Sequence, residues 1–252
     1  MTFKPFLWVL LALLIYNCKE HETYLYKIEG KEISITDSLQ SDSKINDFIK
    51  PYRNHVTKDL DSVLAYAIDT YSKSDGDFNT AIGNFMADAV YEQANPIFKA
   101  RTGHDIDLVL LNHGGIRSII SKGNITTRTA FELMPFENSL VVVALKGIQI
   151  DSLIMYLSKR KKAHPISKLN LVIDKDYHIV SATIKNKKVD AGKTYYVATN
   201  DYLYNGGDNM TFFKPNDSLY NLDYKIRNVL IDYFKKVDTI SPVIDDRFIQ
   251  IK

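Results

Sequence analysis

At 252 residues, with 45% hydrophobic and 25% charged side chains, the chain is long enough for one large domain or two small ones and falls outside the disordered classes. A formal net charge of +2 gives no electrostatic case for a nucleic-acid partner, and the basic run Lys159-Arg-Lys-Lys162 reads as the solvated end of a helix. A single cysteine excludes an intramolecular disulfide, so stability has to come from the core.

Lys4 precedes the apolar run Phe6-Leu-Trp-Val-Leu-Leu-Ala-Leu-Leu-Ile-Tyr16. It is shorter than the roughly 20 residues that span a bilayer and matches the h-region of a secretory signal. Ile15-Tyr16-Asn17-Cys18 resembles a bacterial lipobox with an unusually bulky Tyr16. Residues 1–18 are therefore expected to be a lipoprotein-type signal, with lipidation at Cys18 and an exported protein anchored by lipid to a bacterial membrane, on its periplasmic or cell-surface side. Residues 19–46 are polar, with brief β-like runs such as Glu32-Ile-Ser-Ile-Thr36, and read as a tether. The folded domain is expected over residues 47–252.

Apolar residues at Val56, Leu60, Val63, Leu64, Ala67 and Ile68 predict a first helix over residues 56–71. A loop follows over residues 72–79. A second helix is predicted over residues 80–99, kinked or ended by Pro96, and Gly83-Asn84 near its start implies close packing against a strand. Leu108-Val-Leu-Leu-Asn-His-Gly-Gly-Ile-Arg117 then runs from a strand buried on both faces into a turn. Gly114 and Gly115 permit positive φ or close approach of a ligand, and Arg117 either completes an anion-binding concavity or makes a surface ion pair.

Strands are predicted over residues 125–129 and 139–145, joined by a loop at 131–136 whose Phe136 either faces a planar ligand or plugs the core. A helix over residues 148–163 and strands at 169–173, 179–184 and 195–198 follow. Asn200-Asp-Tyr-Leu-Tyr-Asn-Gly-Gly-Asp208 is a second punctuated stretch, open to reading as a hairpin turn or as a ligand loop in which Asp208 accepts two hydroxyl hydrogen bonds. A helix over residues 222–237 and a strand over 247–251 complete the chain.

Gly83-Asn-Phe-Met-Ala-Asp-Ala89, Asn112-His-Gly-Gly-Ile-Arg117, Met134-Pro-Phe136 with Leu140-Val-Val and Leu145-Lys-Gly147, and Asn205-Gly-Gly-Asp208 stand in one order. Together they resemble the C-terminal domain of the 5′-nucleotidases, a family that includes UDP-sugar hydrolases and cyclic-nucleotide phosphodiesterases. The resemblance implies an α+β fold of mixed sheets flanked by helices in an α/β/β/α layering. It also implies a nucleotide-recognition site: Phe136 and Tyr202, where Phe is more familiar, sandwich the base. Asn112 and Arg117 contact base and ribose or phosphate, and Asp208 binds ribose hydroxyls. Gly114, Gly115, Gly206 and Gly207 shape the two loops.

Two departures from the family pattern bear on function. Family members usually carry an Arg just before the Gly-Asn helix, where residues 72–79 offer only Lys73. The catalytic half of the family is a separate metallophosphoesterase domain with two metals, for which this chain has no room. His21, His55, His104, His113, His164 and His178 are expected to lie outside any metal-ligand pattern, and no Gly-x-Ser-x-Gly, reactive cysteine or P-loop offers another mechanism. The expectation is a chain with no catalytic residue, metal or cofactor of its own. It recognises a nucleoside or nucleotide for a metallophosphoesterase on a separate chain, which carries the divalent metals. The alternative is a stand-alone nucleoside-binding lipoprotein with no hydrolase role.

Overall fold

Alternation along the central apolar stretch organises the molecule. In the computed structural model, which describes residues 23–251, β2 (Leu108–Leu110) is fully buried. Leu108 and Leu110 point into one hydrophobic core, and Val109 and Leu111 into another. That is the outcome of a period of two in a strand covered on both faces. The Cys18 lipobox and the apolar run before it lie outside the described residues, and among those described no helix is long and apolar enough to cross a membrane.

The chain divides into two compact units at Ile49/Lys50. In the first, residues 23–35 hold no regular element, so Glu32–Thr36 forms no strand, and α1 (Ser43–Leu60) starts inside the stretch expected to be tether. The predicted helix over residues 56–71 is corrected: α1 ends at Leu60, and β1 (Val63–Ala67) follows as a strand. Ala65 and Ala67 are buried while Val63 and Tyr66 are exposed. The apolar positions fitted both periods, and pairing with β3 (Gly123–Thr126) and β11 (Thr239–Ile240) decided between them.

Three mixed sheets make up the second unit. A five-stranded sheet has the order β10-β4-β9-β2-β5, with β4 at Ser139–Lys146, β5 at Ile166–Ser167, β9 at Thr194–Asn200 and β10 at Ser218–Lys225. Helices α2 (Ala81–Thr102) and α6 (Ile226–Lys236) pack on the first core, together with the three-stranded sheet of β1, β3 (Gly123–Thr126) and β11 (Thr239–Ile240). Helix α4 (Gly147–Arg160) shares the second core with the four-stranded sheet of β6 (Leu169–Ile173), β7 (Ile179–Ile184), β8 (Lys187–Lys188) and β12 (Phe248–Gln250). Phe98, Phe213, Phe234 and Phe248 are fully buried, each contributing about 1.5–3 kcal/mol of transfer free energy. The α+β class with mixed sheets flanked by helices is as the sequence implied.

Three further corrections concern elements around the loops. Residues 127–129, expected as strand, open helix α3 (Thr127–Leu133), because Thr126 and Thr129 exchange side-chain and backbone hydrogen bonds in a capping box. Helix α2 runs through Pro96 without ending and stops at Gly103, whose φ of 77° forms a left-handed cap. Leu222 belongs to strand β10, not to the last helix, which begins only at Ile226.

Candidate functional site

The register of the five-stranded sheet brings the candidate loops to one end. Strands β2 and β9 are parallel, with Leu108 beside Val197, so the turns that follow them emerge together. Strand β4 is antiparallel to β9, with Leu140 beside Asn200, and so the Pro135-Phe136 loop enters at the same end. The close of β10 and the start of β5 arrive there too, through the pairs Lys225–Ser139 and Leu110–Ile166. Side chains more than eighty residues apart in sequence meet in this way: Asn200 Nδ2 donates to Asn112 Oδ1 at 3.3 Å.

The first turn is a short 3-10 helix, His113–Gly115. Neither Gly114 nor Gly115 adopts positive φ, which corrects one expectation from sequence; instead a Cβ on Gly115 would stand 3.0 Å from Asn112 Oδ1. The turn is held by its neighbours. The His113 N–H donates to His164 Nδ1 at 3.3 Å, and His113 Nδ1 meets Ala163 O at 3.1 Å. The Arg117 N–H donates to Leu133 O, and its guanidinium lies 5.8 Å over the Phe136 ring. Lys73, standing where the family Arg is missing, donates to Ile116 O at 2.9 Å and so reaches this turn.

Phe136 is 41% exposed and Tyr202 is 45% exposed; neither ring is a core plug. The Phe136 loop is clamped from the β10–α6 junction by two residues that the sequence reading passed over. Arg227, largely buried, donates to Pro135 O at 3.3 Å and to Glu137, and lies 4.1 Å over the Phe131 ring. The hydrogen bond to Arg227 holds the Glu137 carboxyl below its usual range. Lys225 Nζ donates to Glu137 O and Ser139 Oγ. Periodicity cannot single out such clamps, because a charged residue at a strand–helix junction looks solvated until its partner is placed.

The second turn is held from within and also from α4, whose Tyr156 and Arg160 both donate to the Asp208 carbonyl. Asn200 caps the one-turn helix α5 (Asp201–Tyr204) through its side chain, which accepts from the Leu203 N–H. Gly206 takes φ 92° and Asp208 φ 53°, both left-handed. A Cβ on Gly207 would stand 2.4 Å from the Tyr202 ring, so the ring lies directly on that backbone. The Tyr202 hydroxyl donates to Asp208 Oδ1 at 3.0 Å and accepts from the Asp208 N–H at 3.3 Å; the bond to the carboxylate raises the Tyr202 pKa.

Beside Asp208 lies a cleft of about 340 Å³, lined among others by His113, Tyr156, Arg160, Lys162 and His164. Burial pulls the His164 pKa down to about 4, against the opposing attraction of Asp208. A larger cavity of about 610 Å³ lies elsewhere, around Asp88 and Arg247. There the Gly83-Asn-Phe-Met-Ala-Asp segment does structural work. Asn84 Nδ2 donates to Val243 O, and Asp88 accepts from Arg247 and Ser167. A Cβ on Gly83 would sit 3.6 Å from Pro165. Helix α2 is thereby tied to the C-terminal segment and to the residue that precedes β5.

The expectation that every histidine lies outside a metal-ligand pattern is corrected at one place. Asp176-Tyr-His178 is an Asp-x-His spacing, and donor atoms of Asp174, Asp176 and His178 lie within 4.8 Å of one another. The three belong to one turn between β6 and β7, where Asp174 already accepts from the backbone of Asp176 and His178 and pairs with the His178 ring. A two-metal hydrolytic centre needs ligands gathered around a pair of ions about 3.5–4 Å apart. Among the described residues this triad is the one cluster of three or more His, Cys, Asp or Glu donors, and it does not supply the ligands of a metal pair.

Comparison with known proteins accounts for this arrangement. Residues 57–215 match the family described as the C-terminal domain of 5′-nucleotidase. The cell wall protein Lmo0130 of Listeria monocytogenes is 27% identical over 258 residues, covering 85% of this chain and 32% of that protein. The trifunctional nucleotide phosphoesterase protein YfkN of Bacillus subtilis is 29% identical over 187 residues, covering 68% and 12%. The solved 5′-nucleotidase precursor of Thermus thermophilus shares the fold, with a TM-score of 0.70 at 23% identity over 82% of this chain and 43% of that one. The chain thus spans a third or less of the length of the two curated relatives. Fold, motif order and family match agree, and the chain belongs to the 5′-nucleotidase C-terminal domain family.

Proposed function

We propose that this chain is the nucleotide- or nucleoside-recognition half of a split 5′-nucleotidase at the cell envelope, working with a metallophosphoesterase on a separate chain. The observation that carries this reading is the gathering of Arg117, Phe136, Tyr202 and Asp208 at one end of the five-stranded sheet, with both rings exposed. Exposed aromatic faces stack on bases, and a carboxylate beside them accepts ribose hydroxyls. Arg117 brings a planar cation for ribose or phosphate, and Asn112 with Gly114, Gly115, Gly206 and Gly207 shapes the floor between the turns. Divalent metals held by the partner supply polarisation and a bound nucleophile. The lipobox at Cys18 and the cell-wall assignment of a relative support an exported, lipid-anchored protein.

The test is calorimetric titration of the full chain with adenosine, AMP and UDP-glucose, with hydrolysis assayed in parallel in Mn²⁺, alone and with a candidate metallophosphoesterase. Binding without turnover alone, and turnover gained with the partner, are expected. Turnover that survives further purification of the lone chain overturns the division of labour. Phe136→Ala and Tyr202→Ala should each weaken binding by about 1–3 kcal/mol; unchanged affinity in both means that the site lies elsewhere.

A further inference from the structure

The basic run 159–162 is exposed throughout, as expected of the solvated end of a helix, and the fold divides it. Helix α4 ends at Arg160, and Lys161 takes a left-handed φ of 52°, with its ammonium 3.3 Å over the Tyr177 ring. Arg160 and Lys162, its two neighbours, line the cleft beside Asp208. Arg160 donates one N–H to the main-chain carbonyl of Asp208 at 2.9 Å and lies 5.2 Å over the Tyr156 ring, whose hydroxyl donates to the same carbonyl at 2.8 Å. The remaining guanidinium N–H groups are available in a planar fork. Neither Arg160 nor Lys162 forms a salt bridge among the described residues.

His164 adds a donor of fixed identity. Its Nδ1 accepts the His113 N–H, and burial keeps the ring neutral at pH 7, so the proton of the ring resides on Nε2. Against the basic side chains of Arg160 and Lys162 and this imidazole, the lining carries one carboxylate, Asp208. Charge and donor set both favour an anion, and an Arg fork beside an ammonium suits a phosphoryl group in particular.

We propose that the cleft formed by Arg160, Lys162 and His164 is an anion subsite at the ribose-diol edge of the nucleoside site, which receives a phosphoryl group esterified to the 2′- or 3′-oxygen. The inference rests on the reading above, in which Asp208 faces that diol. The free hydroxyl of such a ligand stays on Asp208 while the phosphoryl group enters the cleft. The 5′ substituent leaves from the opposite edge of the ribose and does not use it.

Titration of the full chain in EDTA at low ionic strength with adenosine and its 2′-, 3′- and 5′-monophosphates tests the subsite. The 2′- or 3′-monophosphate should bind about tenfold tighter than adenosine, and the gain should fall steeply with added salt. Lys162→Gln should remove most of that gain and leave the affinities for adenosine and the 5′-monophosphate unchanged. If adenosine binds but neither monophosphate gains, or the gain survives Lys162→Gln, the subsite is wrong and the nucleoside reading stands. If none of the four ligands binds, the nucleoside reading fails and takes the subsite with it.

Discussion

Asn112-His-Gly-Gly-Ile-Arg117 and Asn205-Gly-Gly-Asp208 each carry an Asn and a double glycine at the same end of one sheet. The first keeps ordinary φ and is pinned by other segments: His164 and Ala163 before β5, Leu133 at the end of α3, and Lys73. The second is left-handed at Gly206 and Asp208 and is locked chiefly by its own Tyr202, which lies on Gly207 and bonds to Asp208 at both carboxylate and amide, with Tyr156 and Arg160 of α4 added only at the Asp208 carbonyl. A double glycine is thus no single structural demand. In one turn it makes room for a neighbouring side chain, and in the other it supplies a backbone conformation and a platform for a ring.

Acid should break the first turn and spare the second. His164 has a folded pKa of about 4 against about 6.5 unfolded. The unfolded state therefore binds more protons between these values, and the contribution of this group is fully present above pH 6.5 and lost as pH falls through 4. The linked stability is on the order of 3 kcal/mol. Chemical unfolding at pH 7, 5.5 and 4.5 should show this loss in the wild type and a flatter profile in His164→Gln. Parallel profiles would remove His164 from the account of the first turn.

Gly207→Ala should be the next largest, because its Cβ collides with the Tyr202 ring. Overpacking of this kind costs about 1–3 kcal/mol unless the ring moves; if it moves, nucleoside affinity falls instead. Thermal unfolding together with calorimetric titration separates the two, and a variant normal in both would contradict the locked turn. Gly206→Ala places a side chain at φ 92° and should cost about 1–2 kcal/mol in unfolding free energy. Gly114→Ala is the control: its Cβ would meet only ordinary contact at 3.6 Å, with an expected change within about 0.5 kcal/mol. A cost at Gly114 equal to that at Gly206 would erase the distinction between the turns.

Legibility followed the range of the interactions. Helices α2 and α4 and strands β4, β6 and β9 showed in the apolar period because each buries a face against a core, whereas β7, legible from its β-branched residues, buries only Ile184. Strand β10 was missed because only Tyr220 and its neighbours 218–221 pair with β4 before the register shifts, and Leu222, which lies in that irregular stretch, also fitted the spacing of the helix that follows. The capping box that opens α3 was visible as Thr126-x-x-Thr129 but read as strand propensity. Arg227, which clamps the Phe136 loop from a junction ninety positions away, left no local signal.

By itself the sequence determined the α+β class, the family, and the two loops that carry aromatic rings beside an Arg and an Asp, but not that the rings are exposed. These rest on short contiguous patterns, such as apolar alternation and paired glycines, whose physical meaning is local. Tertiary structure alone decided that residues 63–67 form a strand. It also decided which double glycine is left-handed, and that Arg160 and Lys162, both still exposed, line the cleft beside Asp208, 48 positions from Arg160. Each of these depends on strand register and on partners distant in the chain, and no local preference of a residue encodes the partner it will meet.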